Sequence, residues 1–165
     1  MTHAGSTNLK NDILRATTFD LAIAEIGREH AELVDRLERL RKMLTCRPER
    51  ERCGECKSGN IAACWDASTE FMTDLLDNMQ NHFRVDDAAM RRLDATVAEQ
   101  EAAAAHVEAH ADMMERAVNL IRLAELQEER VAARDLIGDW LREHIATHDA
   151  LLLDRLRWAA AQSAA

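Results

Sequence analysis

HFRVDDAAMRRLDATVAEQEAAAAHVEAH, residues 82–110, decides how this chain folds. The stretch begins with His82-x3-Asp86 and ends with His106-x3-His110. Side chains four apart on an α-helix are neighbours on one face, with Cβ atoms about 5–6 Å apart. Between the two pairs lies Thr96-x-x-Glu99, a capping box that satisfies backbone N–H groups at a helix start. Residue 96 is also the midpoint between Asp86 and His106. A turn there brings both pairs to one height on antiparallel helices. Two helices, one turn and one shared site follow.

The same symmetry extends outward. The midpoint between His30 and His82 is Cys56, inside a stretch broken by Pro48, Gly54 and Gly59. The midpoint between His110 and His144 is Gln127, beside a turn expected around Leu126 to Val131. An apolar stripe at Ile23, Ile26, Leu33, Leu37, Leu40 and Leu44 includes His30 and marks a helix over 18–44. Leu75, Met79, His82, Asp86, Ala89 and Leu93 mark a second, from about Trp65 to Ala95. Ala103, His106, His110, Met113 and Ala117 mark a third, and Ile137, Leu141, His144, His148 and Leu152 a fourth. The expected fold is all-α: an antiparallel up-down-up-down four-helix bundle over 18–160, with a Cys-rich loop at 45–64 between helices 1 and 2. Residues 1–17 read as a flexible N-terminal arm and 161–165 as a C-terminal tail.

Composition agrees with helix almost throughout. The 165 residues are 47% apolar, with one Pro and five Gly. The net charge of −9 argues against a nucleic-acid partner, which would require a basic face. No stretch approaches the roughly 20 apolar residues of a membrane span. Met1 to Lys10 lacks the apolar core of a secretory signal, so the expected location is cytoplasmic.

His30, His82, Asp86, His106, His110, His144 and Asp149 together form the donor set of a two-metal site. Imidazole with carboxylate suits iron and related transition metals. Burying so many polar groups without a metal would leave many of them without partners. The two carboxylates offset charge on buried cations, whose desolvation is otherwise very costly. His144 and Asp149 stand about 140° apart on a regular helix. They are therefore expected to approach the site from different sides, with Asp149 bridging two metals.

At these residues the chain resembles the hemerythrin family, four-helix bundles with a non-haem di-iron centre that binds O2 at one iron. The family pattern is a lone His, then HxxxE, HxxxH and HxxxxD. HFRVDDAAM (82–90) is similar to the family's HFxxEExxM, and WLREHI (140–145) to its WLxxHI. The resemblance implies that His106, His110 and His144 bind one iron and that His30 and His82 bind the other. It implies that Asp86 and Asp149 bridge them, and that Phe83, Trp140, Leu141 and Ile145 line the ligand pocket. Asp86 stands where the family has Glu, one methylene longer, and Asp87 is an alternative ligand expected to point off the seam. His148 is an extra inward histidine, read as a neighbour of the ligands rather than a ligand.

Cys46-x6-Cys53-x2-Cys56-x7-Cys64 falls in the first connection. Four thiolates suit a tetrahedral zinc; a redox disulfide, an iron–sulfur cluster and free thiols are the other readings. Cys46 follows His30 by 16 residues and Cys64 precedes His82 by 18, roughly 25 Å along a helix, so these cysteines are not di-iron ligands. Three functions compete: reversible O2 or NO binding for sensing, storage or delivery, a di-iron peroxidase or oxidase, and a structural metal-binding bundle. The absence of Tyr weighs mildly against the enzyme, and a sensing role calls for a separate redox or signalling partner.

Overall fold

The computed structural model describes residues 4–43, 61–93, 96–123 and 127–163. They form α1 (Ala4–Met43), α2 (Ile61–Met90), α3 (Val97–Leu123) and α4 (Gln127–His144). A five-residue π segment (Ile145–Asp149) then joins α4 to α5 (Ala150–Ser163). α4, the π segment and α5 make one continuous rod, so the chain is an all-α four-helix bundle.

Several boundaries differ from the sequence reading. The segment read as a loose arm is helical from Ala4, because adding residues to an existing helix is far easier than nucleating one. α2 starts four residues early, at Ile61, and ends at Met90 rather than at Ala95. Arg91 N bonds Asp87 O, while Arg92 N and Leu93 N reach back only three residues, so the helix tightens into a turn. The third connection is also earlier than expected, since Val131 already lies inside α4. At the far end, helix continues to Ser163 through most of the expected tail. Cys46, Cys53 and Cys56 lie outside the described residues.

The capping box forms as the sequence predicts. Thr96 N donates to Glu99 Oε2 at 2.7 Å, and Glu99 N donates to Thr96 Oγ1 at 3.4 Å. These bonds from the Thr96 backbone and side chain hold the Glu99 carboxyl below its usual range.

Two apolar clusters fill the bundle. One gathers Leu33, Leu40, Met72, Leu75, Met113 and Ile137 from α1, α2, α3 and α4. The other, toward the opposite end, gathers Phe19, Ala22, Ile26, Ala89, Leu152 and Leu156. The histidines and aspartates occupy the level between them, so polar atoms sit in a slab closed above and below by hydrocarbon. Leu33, fully buried just C-terminal to His30, is part of that closure. Leu33→Ala is expected to destabilise the fold by about 3 kcal/mol, the usual cost of a core cavity. Urea unfolding would show the loss as a lower midpoint with an unchanged slope.

One buried polar contact was not legible in advance. Arg130 of α4 lies with its guanidinium carbon 3.3 Å from the centre of the Trp65 ring. Its Nη1 donates to Trp65 O at 3.1 Å and to Ser68 Oγ. This clamp ties the start of α4 to the start of α2.

Candidate metal centre

The four helical rods each deliver ligands to one point. Asp86, His106, His110 and His144 are buried, and one donor atom from each lies within 4.8 Å of the others. His82, Asp86, His144 and Asp149 form a second such group sharing two members with the first. His30 joins from α1, its Nε2 2.7 Å from Asp149 Oδ2. All seven residues read from the sequence as metal ligands therefore meet in one place.

Asp149 organises the set. Its Oδ2 lies 2.7 Å from His30 Nε2 and 3.3 Å from His82 Nε2. Its Oδ1 lies 2.9 Å from His144 Nε2 and 3.2 Å from His106 Nε2. One carboxylate thus divides its two oxygens between two groups of imidazoles. Asp86 is placed differently: Oδ2 alone is 3.2 Å from His82 Nε2 and 3.7 Å from His110 Nε2. Its shorter side chain reaches both groups with a single oxygen.

Regular helix could not place Asp149 there. The expectation that His144 and Asp149 approach from different sides is overturned by the π segment between them. Ala150 N–H reaches back five residues to Ile145 O, a wider turn that absorbs one extra residue. His144 and Asp149 therefore come to the same side. Thr147 Oγ1 donates to Glu143 O at 2.7 Å, the local back-bond by which Thr side chains bend helices. A five-residue spacing between two converging ligands is itself a sequence signal for such a turn.

His106 Nε2 and His110 Nε2 are each 3.1 Å from His144 Nε2. Three imidazole nitrogens aimed at one another are poor partners, since a neutral ring has one donor nitrogen and one acceptor. His82 Nε2, both oxygens of Asp86 and Asp149 Oδ1 are buried without a hydrogen-bond partner. Cations placed among these atoms would satisfy them. The donor set fits a pair of metal ions.

The protonation pattern of the metal-free site also fits cations. Burial, followed by the charges of neighbouring imidazoles, pushes His110 down to about 2. Burial lowers His144 as well, against a partial offset from Asp149. Burial works against ionisation of Asp149, but the imidazoles of His106, His144, His30 and His82 gathered around it outweigh burial and hold the carboxyl well below its usual range. Asp86 moves the other way: burial, then the charge of Asp149, pushes it up to about 9. The neutral imidazoles of His110 and His144 beside an ionised Asp149 have lone pairs ready for metal.

Around the ligands lie the aromatic and apolar residues read as a pocket. Phe83 stacks flat on His110, with ring centres 3.9 Å apart, and Trp140 stacks on His144 at 4.6 Å. Leu141 is buried and Ile145 half-buried in the same apolar cluster. His148 belongs to neither ligand group; its ring packs 5.1 Å from that of His106 and 5.3 Å from that of His144. Asp87 points off the seam, with Oδ1 3.7 Å from His110 Nδ1, on the outward side of that ligand.

Glu29 was missed by the sequence reading. It is buried next to His30, accepts from Asn81 Nδ2 at 2.9 Å and lies 3.0 Å from Arg28 Nη2. Its place three residues after Ile26 and four before Leu33 fits the inward spacing and is the signal that could have found it.

The hemerythrin HHE cation-binding domain model matches residues 21–156, most of the chain. The comparisons found no curated protein and no solved structure that matches. The matched span runs from α1 into α5 and includes all seven ligand-type side chains. By sequence pattern and by fold, then, this chain belongs to the hemerythrin HHE cation-binding family.

Proposed function

We propose that the site holds two iron ions and binds O2 or NO reversibly, for oxygen or redox sensing, storage or delivery. The observation that carries this reading is the division of the Asp149 oxygens between two imidazole groups. His106, His110 and His144 supply one iron, His30 and His82 the other, with Asp149 and Asp86 shared. Mixed imidazole and carboxylate donors suit iron. Iron supplies the reversible redox chemistry. The chain supplies five imidazoles, two carboxylates and an apolar wall.

Phe83, Trp140, Leu141 and Ile145 keep water from the ligands on the His110 and His144 side. Low polarity there, in a chain without Tyr, favours binding a small apolar ligand over turnover that consumes protons. No described helix is long and apolar enough to cross a membrane. In this reading the protein works in the cytoplasm and passes its state to a separate redox or signalling protein. The four cysteines then form a separate metal or redox site.

The test is to reduce the iron-loaded protein anaerobically, add O2 and record the visible spectrum. A charge-transfer band that appears with O2 and reverses under vacuum is expected. Irreversible oxidation with peroxide turnover would instead assign a peroxidase or oxidase, and no spectral response would leave a structural metal role.

A further inference from the structure

Beyond the metal centre, α3 and α5 stand apart. The apolar cluster at that end is built by α1, α2 and α5, without a residue of α3. Where α3 passes, it presents Ala102, Ala103 and Ala105, whose single methyl groups cannot reach across. The gap is a cavity of about 780 Å3. His106 and His148 close its inner end, and Leu151 and Trp158 line it while remaining 62% and 67% exposed.

This space is far larger than a diatomic gas requires. It falls within the roughly 300–1,000 Å3 of sites that enclose small organic molecules. From His148 in the π segment to Ser163 at the end of α5, the rod rises about 22 Å, enough for an extended aliphatic chain laid lengthwise. Exposed large apolar residues gathered at one opening mark a surface that ligands cover.

Charge selects the class of ligand. Asp154 is already paired with Arg157 at 2.9 Å, and Glu99 accepts two hydrogen bonds from Thr96. Arg155 also lines the cavity, and among the described residues its electrostatic neighbour is Glu99, with no ion pair within 4.0 Å. Arg15 adds a second cation to the same lining. A guanidinium matches a carboxylate in shape and charge.

We propose that the cavity between α3 and α5 binds an apolar monocarboxylate, with its head group at Arg155 and its hydrocarbon chain along Ala103 and Leu152 toward His148. This site stands whether or not the metal centre binds O2. Titration of the full chain with dodecanoate, followed by calorimetry, tests it. One-to-one saturation is expected in both metal-loaded and metal-free protein.

Ala103→Trp fills the cavity and is expected to abolish binding. Arg155→Gln is expected to weaken it at least about tenfold, the loss of one charge-assisted hydrogen bond. Dodecyltrimethylammonium, which reverses the head-group charge, should bind more than about tenfold more weakly than dodecanoate for the same reason. Arg155→Gln changes a partly exposed side chain and keeps the test decisive even if Ala103→Trp fails to fold. Absence of saturable binding, equal affinity for the two head groups, or full affinity in Arg155→Gln would overturn the proposal. So would a stable dimer in which a second copy occupies the cavity.

Discussion

Asp149→Asn is expected to strip the site of both metal ions. The substitution keeps the side chain's size but removes its charge and replaces one acceptor oxygen with a donor. Oδ1 and Oδ2 each serve a different imidazole group, so both groups lose the Asp149 charge and keep only Asp86. Removing one partner of a buried charge pair typically costs about 3–5 kcal/mol. That corresponds to at least about a hundredfold in affinity. Elemental analysis after competition with a chelator checks this: two irons per chain in the parent, fewer than one in the variant. His106→Ala should lose iron, while His148→Ala and Cys53→Ala should keep both. An Asp149→Asn protein that retained two irons would overturn the bridging role proposed for Asp149.

Removing the metal should cost the fold as much as a large core mutation and give it a distinctive pH profile. A ligand held at a thousand times its dissociation constant contributes about 4 kcal/mol. For a chain of this size that is a drop in Tm of about 10 °C or more. The metal-free protein should then be most stable near pH 6.5, and the signs follow from the groups in the site. His110 and His144 have lowered pKa values when folded, so the unfolded chain takes up more protons below their ordinary value of 6.5. Stability falls there as pH falls. Asp149 adds to the loss only when pH reaches the ordinary carboxylate range near 3.8.

Asp86 acts in the opposite direction. Folded and metal-free, it keeps a proton up to about 9 that the unfolded chain releases near 3.8. Rising pH across that window therefore lowers stability. Below 6.5 the two histidines outweigh it; above 6.5 it acts alone. Bound metal replaces the Asp86 proton, so the alkaline decline should disappear in the loaded protein. Thermal melts of both forms between about pH 5 and pH 9 give the comparison. A flat alkaline limb in the metal-free protein would show that Asp86 is ionised there.

Much of this was legible because bundle geometry is simple. Two ligand pairs reflected about the Thr96 capping box require antiparallel helices at a common height, and the structure has them. Which polar residues gather was equally open to reading, since inward histidines and aspartates spaced about one turn apart on facing helices must meet in the bundle interior. Asp149 was harder. Its five-residue distance from His144 points away from the site on a regular helix, and only the π turn between them brings it back. Glu29 stands at inward spacing between Ile26 and Leu33, but its partner Asn81 was not legible, nor was Arg130, because these contacts depend on residues of another helix.

By itself, then, the order of histidines and aspartates determined the bundle, its up-and-down course and the membership of the buried His/Asp cluster. Those depend on periodicity and on where turns can fall, both of which are local. Tertiary structure alone decided how Asp149 divides its oxygens, that Asp86 reaches both groups with one oxygen, and that a cavity opens beside His106 and His148. Each of these depends on distances between rods. A row of alanines on α3 sets one such distance only when α5 lies opposite.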